Sequence, residues 1–229
     1  MLTNEALSGT RASAGRPAHQ SVYEQLRDLI LFGELAPGQA VTIQGLTQEL
    51  GAGMTPVREA IRRMTSNGAL SMQGNRRIIV PELTQDCIEQ LEFIRISLEP
   101  ELALRAAGRA TPALIDALRT CDDALNTAIS HGDIRGYLTQ NYRFHACLYS
   151  AADAPILEAT ADRLWLRFGP SLRVVCGRFG TANLPDKHAE LLEALEAGDP
   201  AATAEALRGD VEQGMRQIRE ALQDISTTR

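Results

Sequence analysis

Two arginines, Arg58 and Arg62, lie one helical turn apart in a segment whose apolar residues also have helical spacing. If those apolar residues face the core, both guanidinium groups face the opposite side of the helix. A guanidinium near the start of a helix that enters the major groove can bond guanine O6 and N7 together. We therefore expect Arg58 first, and Arg62 beside it, to contact DNA. The apolar positions that define the buried side are Val57, Ala60, Ile61 and Met64.

Further polar residues could position this helix on a duplex. Thr55 is predicted to cap the helix, with Pro56 at the first helical position, so that the hydroxyl and the free N–H groups bind a phosphate. Arg76 and Arg77 follow in a predicted hairpin, from which they could contact the flanking backbone or the minor groove. These contacts would orient the protein on DNA without reading bases.

A second candidate site arises where polar residues interrupt apolar helical seams. Asn141 and His145 lie one turn apart on one seam, His188 lies on another, and Asp210 lies near the end of the chain. Imidazole and carboxylate groups that converge suit zinc, nickel or manganese. Spacing alone does not show that they converge, and a lone inward histidine is commonly a core residue. We predict a divalent transition metal held by His145, His188 and Asp210, with Asn141 as a fourth ligand or supporting partner.

Arg95 occupies a position where its seam should be apolar, and an inward arginine needs a partner. Glu99, one turn later, could form a structural ion pair with it. Alternatively, the guanidinium could bind the carboxylate of a small ligand. Both interpretations are left open by the sequence.

The elements that must carry the first site are three helices. Helical spacing begins at Ser21 and stops at Gly33, and Thr42 can cap a short second helix. That helix ends at the turn 51–53, and the arginine-bearing helix follows at once. Two helices joined by a tight turn form a helix-turn-helix pattern.

Two short strands, 69–73 and 77–80, are predicted to follow, joined across Gly74 and Asn75 as a hairpin wing. Pro81 ends this unit. The predicted domains are therefore a flexible arm at 1–18, a winged helix-turn-helix at 19–81 and a helical domain at 84–226.

The rest of the chain has helical spacing throughout. Its breaks are marked by Thr-Pro, Ala-Pro and Gly-Asp pairs, which predicts six helices in an antiparallel bundle. The fold as a whole is predicted to be mostly α. The six helices should start near Thr84, Thr111, Asp133, Pro155, Pro185 and Pro200.

Charge is divided unevenly between these units. Residues 1–80 hold eight Arg and six acidic residues, a net charge of +2, whereas residues 81–229 carry −8 within a total of −6. This division suggests two functions in two domains. No apolar run approaches the roughly 20 residues that a membrane span needs, and the first 18 residues lack the apolar stretch of a signal peptide. We therefore expect a cytoplasmic protein without a membrane partner.

Gly38 after Pro37, the run from Thr55 to Ile61 and the wing resemble the winged-helix domain of GntR-family regulators over residues 20–81. The resemblance implies further DNA contacts at Gln44, at the start of helix two, and at the wing position Asn75, where the family often carries Gly. Met54 stands where the family often carries Arg. Because Met54 cannot bond phosphate, base preference or affinity is expected to differ from that of relatives.

The helical part resembles the FCD effector domain of the FadR subfamily, from Arg95 through Asn141 and His145 to His188. The resemblance implies a metal site of one Asp and three His. Here two of those histidines are kept, Asn141 replaces the Asp and Asp210 replaces the last His. The site thus keeps one carboxylate, but at a different position. This change predicts weaker metal binding or selectivity for a harder ion.

The predicted function is a ligand-responsive transcriptional regulator, expected to be a repressor, that binds a palindromic operator as a homodimer. A small acidic metabolite would bind in the bundle; the predicted effector-binding residues are Arg95, Asn141, His145 and His188. Two alternatives are a metal-dependent hydrolase or lyase on the bundle, and a helical interaction module that does not bind DNA. The enzyme would need a general base, and Glu190 lies off the face that carries His188.

Overall fold

The computed structural model describes residues 18–74, 77–179 and 186–227. Residues 1–17 of the predicted arm, together with Asn75 and Arg76 of the predicted wing, lie outside the described residues. Residue 18, assigned to the arm from sequence, already belongs to the first helix.

The described part of the N-terminal unit holds three helices and three short strands. Its core is one apolar cluster in which Leu26, Val57 and Met64 are fully buried. The helices α1 to α3 span Ala18–Leu31, Ile43–Glu49 and Met54–Ser66, and the strands β1 to β3 span Ala40–Val41, Ser71–Gln73 and Arg77–Ile79.

The start of α3 corrects one prediction. The N-cap is Gly53 and not Thr55, and α3 begins at Met54 without a side-chain cap. Pro56 therefore occupies the third helical position, which is allowed because N–H groups in the first turn have no intrahelical acceptor. The predicted cap of α2 is confirmed, since the Thr42 hydroxyl accepts from the N–H of Gly45 at 3.0 Å.

The sheet has the order β1-β3-β2, and both pairings are antiparallel. The wing hairpin is confirmed, but β2 begins at Ser71 rather than at residue 69. The N–H groups of Ala69 and Leu70 bond instead to the carbonyl of Met64 at the end of α3. Strand β1 was not predicted; Ala40 pairs with Ile79 and Val41 with Ile78.

In the part of the C-terminal unit that the structure describes, six helices each begin within two residues of a predicted start, and the mostly α fold is confirmed. Pro185, where one start was predicted, lies outside the described residues. Side chains of Thr84, Thr111, Asp133 and Asp186 each accept a backbone N–H at a helix start. The helices α4 to α9 span Gln85–Ala107, Pro112–His131, Ile134–Ala151, Pro155–Phe179, Lys187–Glu196 and Pro200–Thr227.

The two units pack against each other through α1 and α7, and one buried apolar cluster includes residues of both. Gly169 of α7 lies against the end of α1, where a Cβ would come within 2.9 Å of the Leu31 carbonyl oxygen. The helices approach this closely because position 169 has no side chain.

Candidate nucleic-acid interface and candidate metal centre

Helix α3 has the two faces that the sequence predicts. Val57, Ala60, Ile61 and Met64 are buried against the core, whereas Thr55, Arg58 and Arg62 are exposed. A polar, cationic face is therefore presented outward from a helix that is fixed by its apolar side.

The two exposed arginines differ in their partners. Arg62 donates through Nε and Nη2 to the two carboxylate oxygens of Glu59, at 3.0 and 2.7 Å. This bidentate contact raises the pKa of Arg62 and lowers that of Glu59. Arg58 makes no ion pair with any residue in the described part of the chain, so its guanidinium is available to an external acceptor.

The remaining predicted DNA contacts are also on the surface where the structure describes them. Gln44 is exposed in the first turn of α2, and Arg77 is exposed at the start of β3. Met54, at the first position of α3, is about half exposed, at 52%. The wing positions Asn75 and Arg76 lie outside the described residues.

Three of the four predicted metal-site residues converge in the bundle. His145 of α6 places Nε2 3.2 Å from Asp210 Oδ2 of α9, and His188 of α8 places Nε2 4.0 Å from Asp210 Oδ1. One ligand atom from each of the three lies within 4.8 Å of the other two. Asn141 borders the same cavity as His145 and Asp210.

The second nitrogen of each imidazole has its own partner. His145 Nδ1 lies 3.0 Å from the Tyr149 hydroxyl, and His188 Nδ1 lies 3.2 Å from Asp122 Oδ1. The His188 ring also stacks on Phe144, with centroids 3.9 Å apart. These contacts orient both Nε2 atoms toward Asp210, which is how protein partners commonly orient ligating histidines. The donor set therefore fits a divalent transition metal.

Asp210 is ionised across the ordinary pH range. Burial acts to raise its pKa, but the hydrogen bond and charge of His145, with the charges of His188 and Arg95, outweigh burial and lower the pKa to about 2. An anionic carboxylate facing two imidazoles favours a cation between them.

Arg95 forms the structural ion pair that was one of its two predicted alternatives. Its Nε and Nη2 donate to the Glu99 carboxylate at 2.6 and 3.1 Å, and both side chains are buried. The Tyr149 hydroxyl donates to the same carboxylate at 2.6 Å. Arg95 nevertheless borders the cavity of His145 and Asp210, a space of about 50 Å³.

Residues 18–80 match the gntR family of bacterial regulatory proteins, and residues 90–213 match the FCD domain. The chain belongs to the GntR family. Its FCD domain alone accounts for more than half of its length. The expected resemblance is thereby confirmed.

Named relatives of this GntR-family chain are transcriptional regulators. It is 31% identical over 182 residues to the HTH-type transcriptional regulator McbR of Escherichia coli strain K12, covering 78% of this chain and 82% of McbR. It is 27% identical, over 86% of this chain and 88% of the relative, to a probable D-xylose utilization operon transcriptional repressor of Paenarthrobacter nicotinovorans.

Solved structures agree with the sequence relatives. A structure of E. coli McbR/YncC superposes with a TM-score of 0.83 at 27% identity, covering 90% of this chain and 99% of that one. A putative GntR regulator from Rhodococcus sp. RHA1 has the same fold, with a TM-score of 0.73 at 21% identity over 89% of this chain and 98% of that one.

The comparisons decide between the alternatives raised by the sequence. The GntR and FCD matches and the named relatives are those of a transcriptional regulator and not of an enzyme, and a DNA-binding family match argues against a purely structural helical module. In the described part of the chain, none of the helices is both long and apolar enough to cross a bilayer.

The sequence analysis did not identify two residues that contact the histidines of the candidate metal centre. Asp122 lies on an apolar seam of α5 between Leu118 and Leu125, and Tyr149 lies one turn after His145. Each position carries a polar group at a spacing that predicts burial. That signal could have identified them, but it could not have paired Asp122 with His188, because those residues are distant in sequence.

Proposed function

We propose that this GntR-family regulator is a repressor that binds a palindromic operator as a homodimer and is released by a small acidic ligand. The observation that carries the DNA-binding part is the outward face of α3, where Arg58 is exposed and unpaired within the described residues while the apolar side is buried. Relatives named as repressors support the sign of regulation.

In this proposal the residues of the N-terminal unit have different roles. Arg58 reads a guanine edge, and Arg62, held by Glu59, contacts the backbone or a neighbouring base. Gln44, Thr55 and Arg77 position the unit through phosphate contacts, as do Asn75 and Arg76 of the wing.

Selection of bound sequences from random DNA tests the homodimer and the operator together. A two-fold symmetric dimer should enrich two inverted half-sites with centres about 10 base pairs apart or a multiple of that spacing. Enrichment of a single asymmetric site, or of no sequence at all, would contradict the proposal.

We further propose that His145, His188 and Asp210 hold a divalent transition metal, zinc, nickel or manganese, with Asn141 beside it. The donor set and the orienting contacts from Tyr149 and Asp122 support this assignment. The metal would supply a positive charge that attracts the carboxylate of an acidic ligand.

The metal proposal is tested by titrating the metal-free full chain with Zn²⁺, Ni²⁺ and Mn²⁺. The wild type should bind one ion per chain. Asp122→Asn should weaken binding about 10- to 100-fold because His188 loses its orienting carboxylate. Asp123→Asn, which changes the exposed neighbour, should bind as the wild type does. No uptake by the wild type, or equal affinity of the two variants, would refute the assignment.

The acidic effector would bind beside the metal. Arg95 uses Nε and Nη2 for Glu99, which leaves Nη1 to donate to an incoming carboxylate, and the Asn141 amide can donate beside it. His145 and His188 would bind the effector through the metal that they hold. The cavity of about 50 Å³ has room for about two water molecules, at roughly 30 Å³ each. An effector with more than a few heavy atoms therefore requires the bundle to open, and that opening gives the ligand unequal affinity for two arrangements.

A contact between the units could transmit the opening to DNA. Tyr142, next to Asn141 on α6, donates to Asp162 of α7 at 3.0 Å and accepts from Arg27 of α1. Helix α1 packs in turn on α3. A shift of α6 would thus reach the helix that carries Arg58 through two contacts.

A further inference from the structure

A second cavity, of about 410 Å³, lies at the junction of the two units. We call it the junction cavity. It is bordered by α1, α3 and α7, and it shares no bordering residue with the cavity of His145 and Asp210. The polar residues that matter here are Tyr23, Arg27, Arg63, Asn67, Asp162 and Arg163.

Positively charged side chains border the junction cavity, although the chain as a whole carries a net charge of −6. Among the residues that the structure describes, three guanidinium groups border the cavity, from Arg27, Arg63 and Arg163, against one carboxylate, that of Asp162. That carboxylate already accepts from the Tyr142 hydroxyl at 3.0 Å. Like charges gathered in this way repel one another unless an anion lies between them.

The three arginines retain donors for a ligand. Arg163 is exposed and makes neither an ion pair nor a hydrogen bond with any residue that the structure describes. Arg63 stacks on Tyr23, with its Cζ 3.6 Å from the ring centroid. Within the described residues its guanidinium donates one hydrogen bond, from Nη1 to Gln20 at 3.3 Å. Arg27 places Nη1 3.5 Å from Asp28 and donates through Nη2 to Tyr142.

The position of Arg63 separates this cavity from the DNA-facing surface. Arg63 follows Arg62 on α3, but its side chain packs on Tyr23 of α1, whereas Arg58 and Arg62 are exposed. An occupant of the junction cavity would therefore touch the flank of the recognition helix and α7 of the bundle together.

We propose that the junction cavity binds a small phosphate-bearing molecule. A planar guanidinium suits phosphate because it can donate two parallel N–H bonds to two oxygens, and three such groups surround this space. The volume falls within the range of small-molecule sites and exceeds what one phosphate fills. Leu166 and the Tyr23 ring offer apolar contact to the remainder of a phosphate ester.

Calorimetric titration of the full chain, without DNA and at constant ionic strength, tests this proposal. The probes are glycerol 3-phosphate and inorganic phosphate. We expect saturable binding at one site per chain, tighter for the ester. Absence of saturable binding for both probes would overturn the proposal, and equal binding of both would overturn the assignment to an ester.

Paired variants show whether the binding occurs in the junction cavity. Arg163→Gln should weaken it at least about tenfold, and Asp162→Asn should strengthen it roughly threefold by removing the one bordering carboxylate. Arg216→Gln changes an exposed arginine on α9 and should have no effect. Because the first two variants shift affinity in opposite directions, misfolding cannot explain both.

Two outcomes would place the bound phosphate elsewhere. Equal weakening by Arg216→Gln and Arg163→Gln would show nonspecific charge binding. Competition between the ester and operator DNA, with Arg163→Gln weakening both, would make the cavity part of the DNA contact instead. Neither outcome would affect the assignment of Arg58, because neither tests that side of α3.

Discussion

Arg95 is a buried cation whose charge is balanced by a carboxylate on the same helix. Its guanidinium donates to Glu99, and the Tyr149 hydroxyl donates to the same carboxylate. Its Cζ also lies 3.8 Å from the centroid of the Phe168 ring, so the cation is enclosed on several sides.

Arg95→Ala should therefore act first on stability. It leaves the Glu99 carboxylate buried without its cation, which costs about 3–5 kcal/mol in the free energy of unfolding. Urea unfolding of the full chain measures this. The double substitution Arg95→Met with Glu99→Leu should cost clearly less than the sum of the two single changes, since no charge is left unpaired. A cost below about 1 kcal/mol for Arg95→Ala would show that the pair is not the buried bridge described here.

Sequence spacing predicts on which face of its own helix each metal-site residue lies, but not which helices pack together. Inward positions for Asn141, His145 and His188 follow from seams on their own helices, because each seam is a local repeat. Which helices adjoin depends on packing of the whole bundle. The contact between Asp122 and His188 therefore became visible only in the structure.

At the scale of elements, the close approach of α1 to α7 depends on one glycine. A Cβ at position 169 would lie 2.9 Å from the backbone oxygen of Leu31 and 3.1 Å from its Cδ1. The Leu31 carbonyl oxygen is a backbone atom and cannot rotate away as the end of a flexible side chain would. A methyl group there must separate the helices or strain them.

Gly169→Ala is expected to lower the free energy of unfolding by about 1–3 kcal/mol through this overpacking. Gly177→Ala is the matched control on the same helix, where an added Cβ meets nothing within 4 Å. Because alanine favours helices over glycine, the control should be neutral or stabilising by up to about 1 kcal/mol. Chemical denaturation of both variants checks the difference, and equal effects would contradict the close packing of α1 on α7.

The elements that sequence predicted best are those with long apolar periodicity. The six described helices of the bundle begin within two residues of the Pro or Thr or Asp that indicated them. Strand β1 has only two residues and no pattern of its own, since it exists through pairing with β3. The cap at Thr55 was wrong because Pro56 is tolerated anywhere in the first turn and so does not fix where α3 begins.

In the whole molecule, the sign of the net charge differs between the DNA-binding unit and the helical unit. Residues 1–80 carry a net charge of +2 and include the stretch 18–80 that matches the DNA-binding family, whereas the acidic remainder contains the FCD domain. An acidic bundle keeps nonspecific attraction to DNA low. We therefore expect affinity for DNA to depend on the exposed arginines of α3 rather than on total charge.

We propose that the exposed face of α3 reads the operator. The affinity of Arg58→Ala for the selected operator, measured by fluorescence anisotropy at fixed salt, tests this role. Loss of one bidentate base contact in each half-site should weaken binding at least about thirtyfold. Arg216→Ala, which removes an exposed arginine from α9, should bind as the wild type does. Unchanged affinity of Arg58→Ala, with the fold intact by circular dichroism, would contradict base reading by α3.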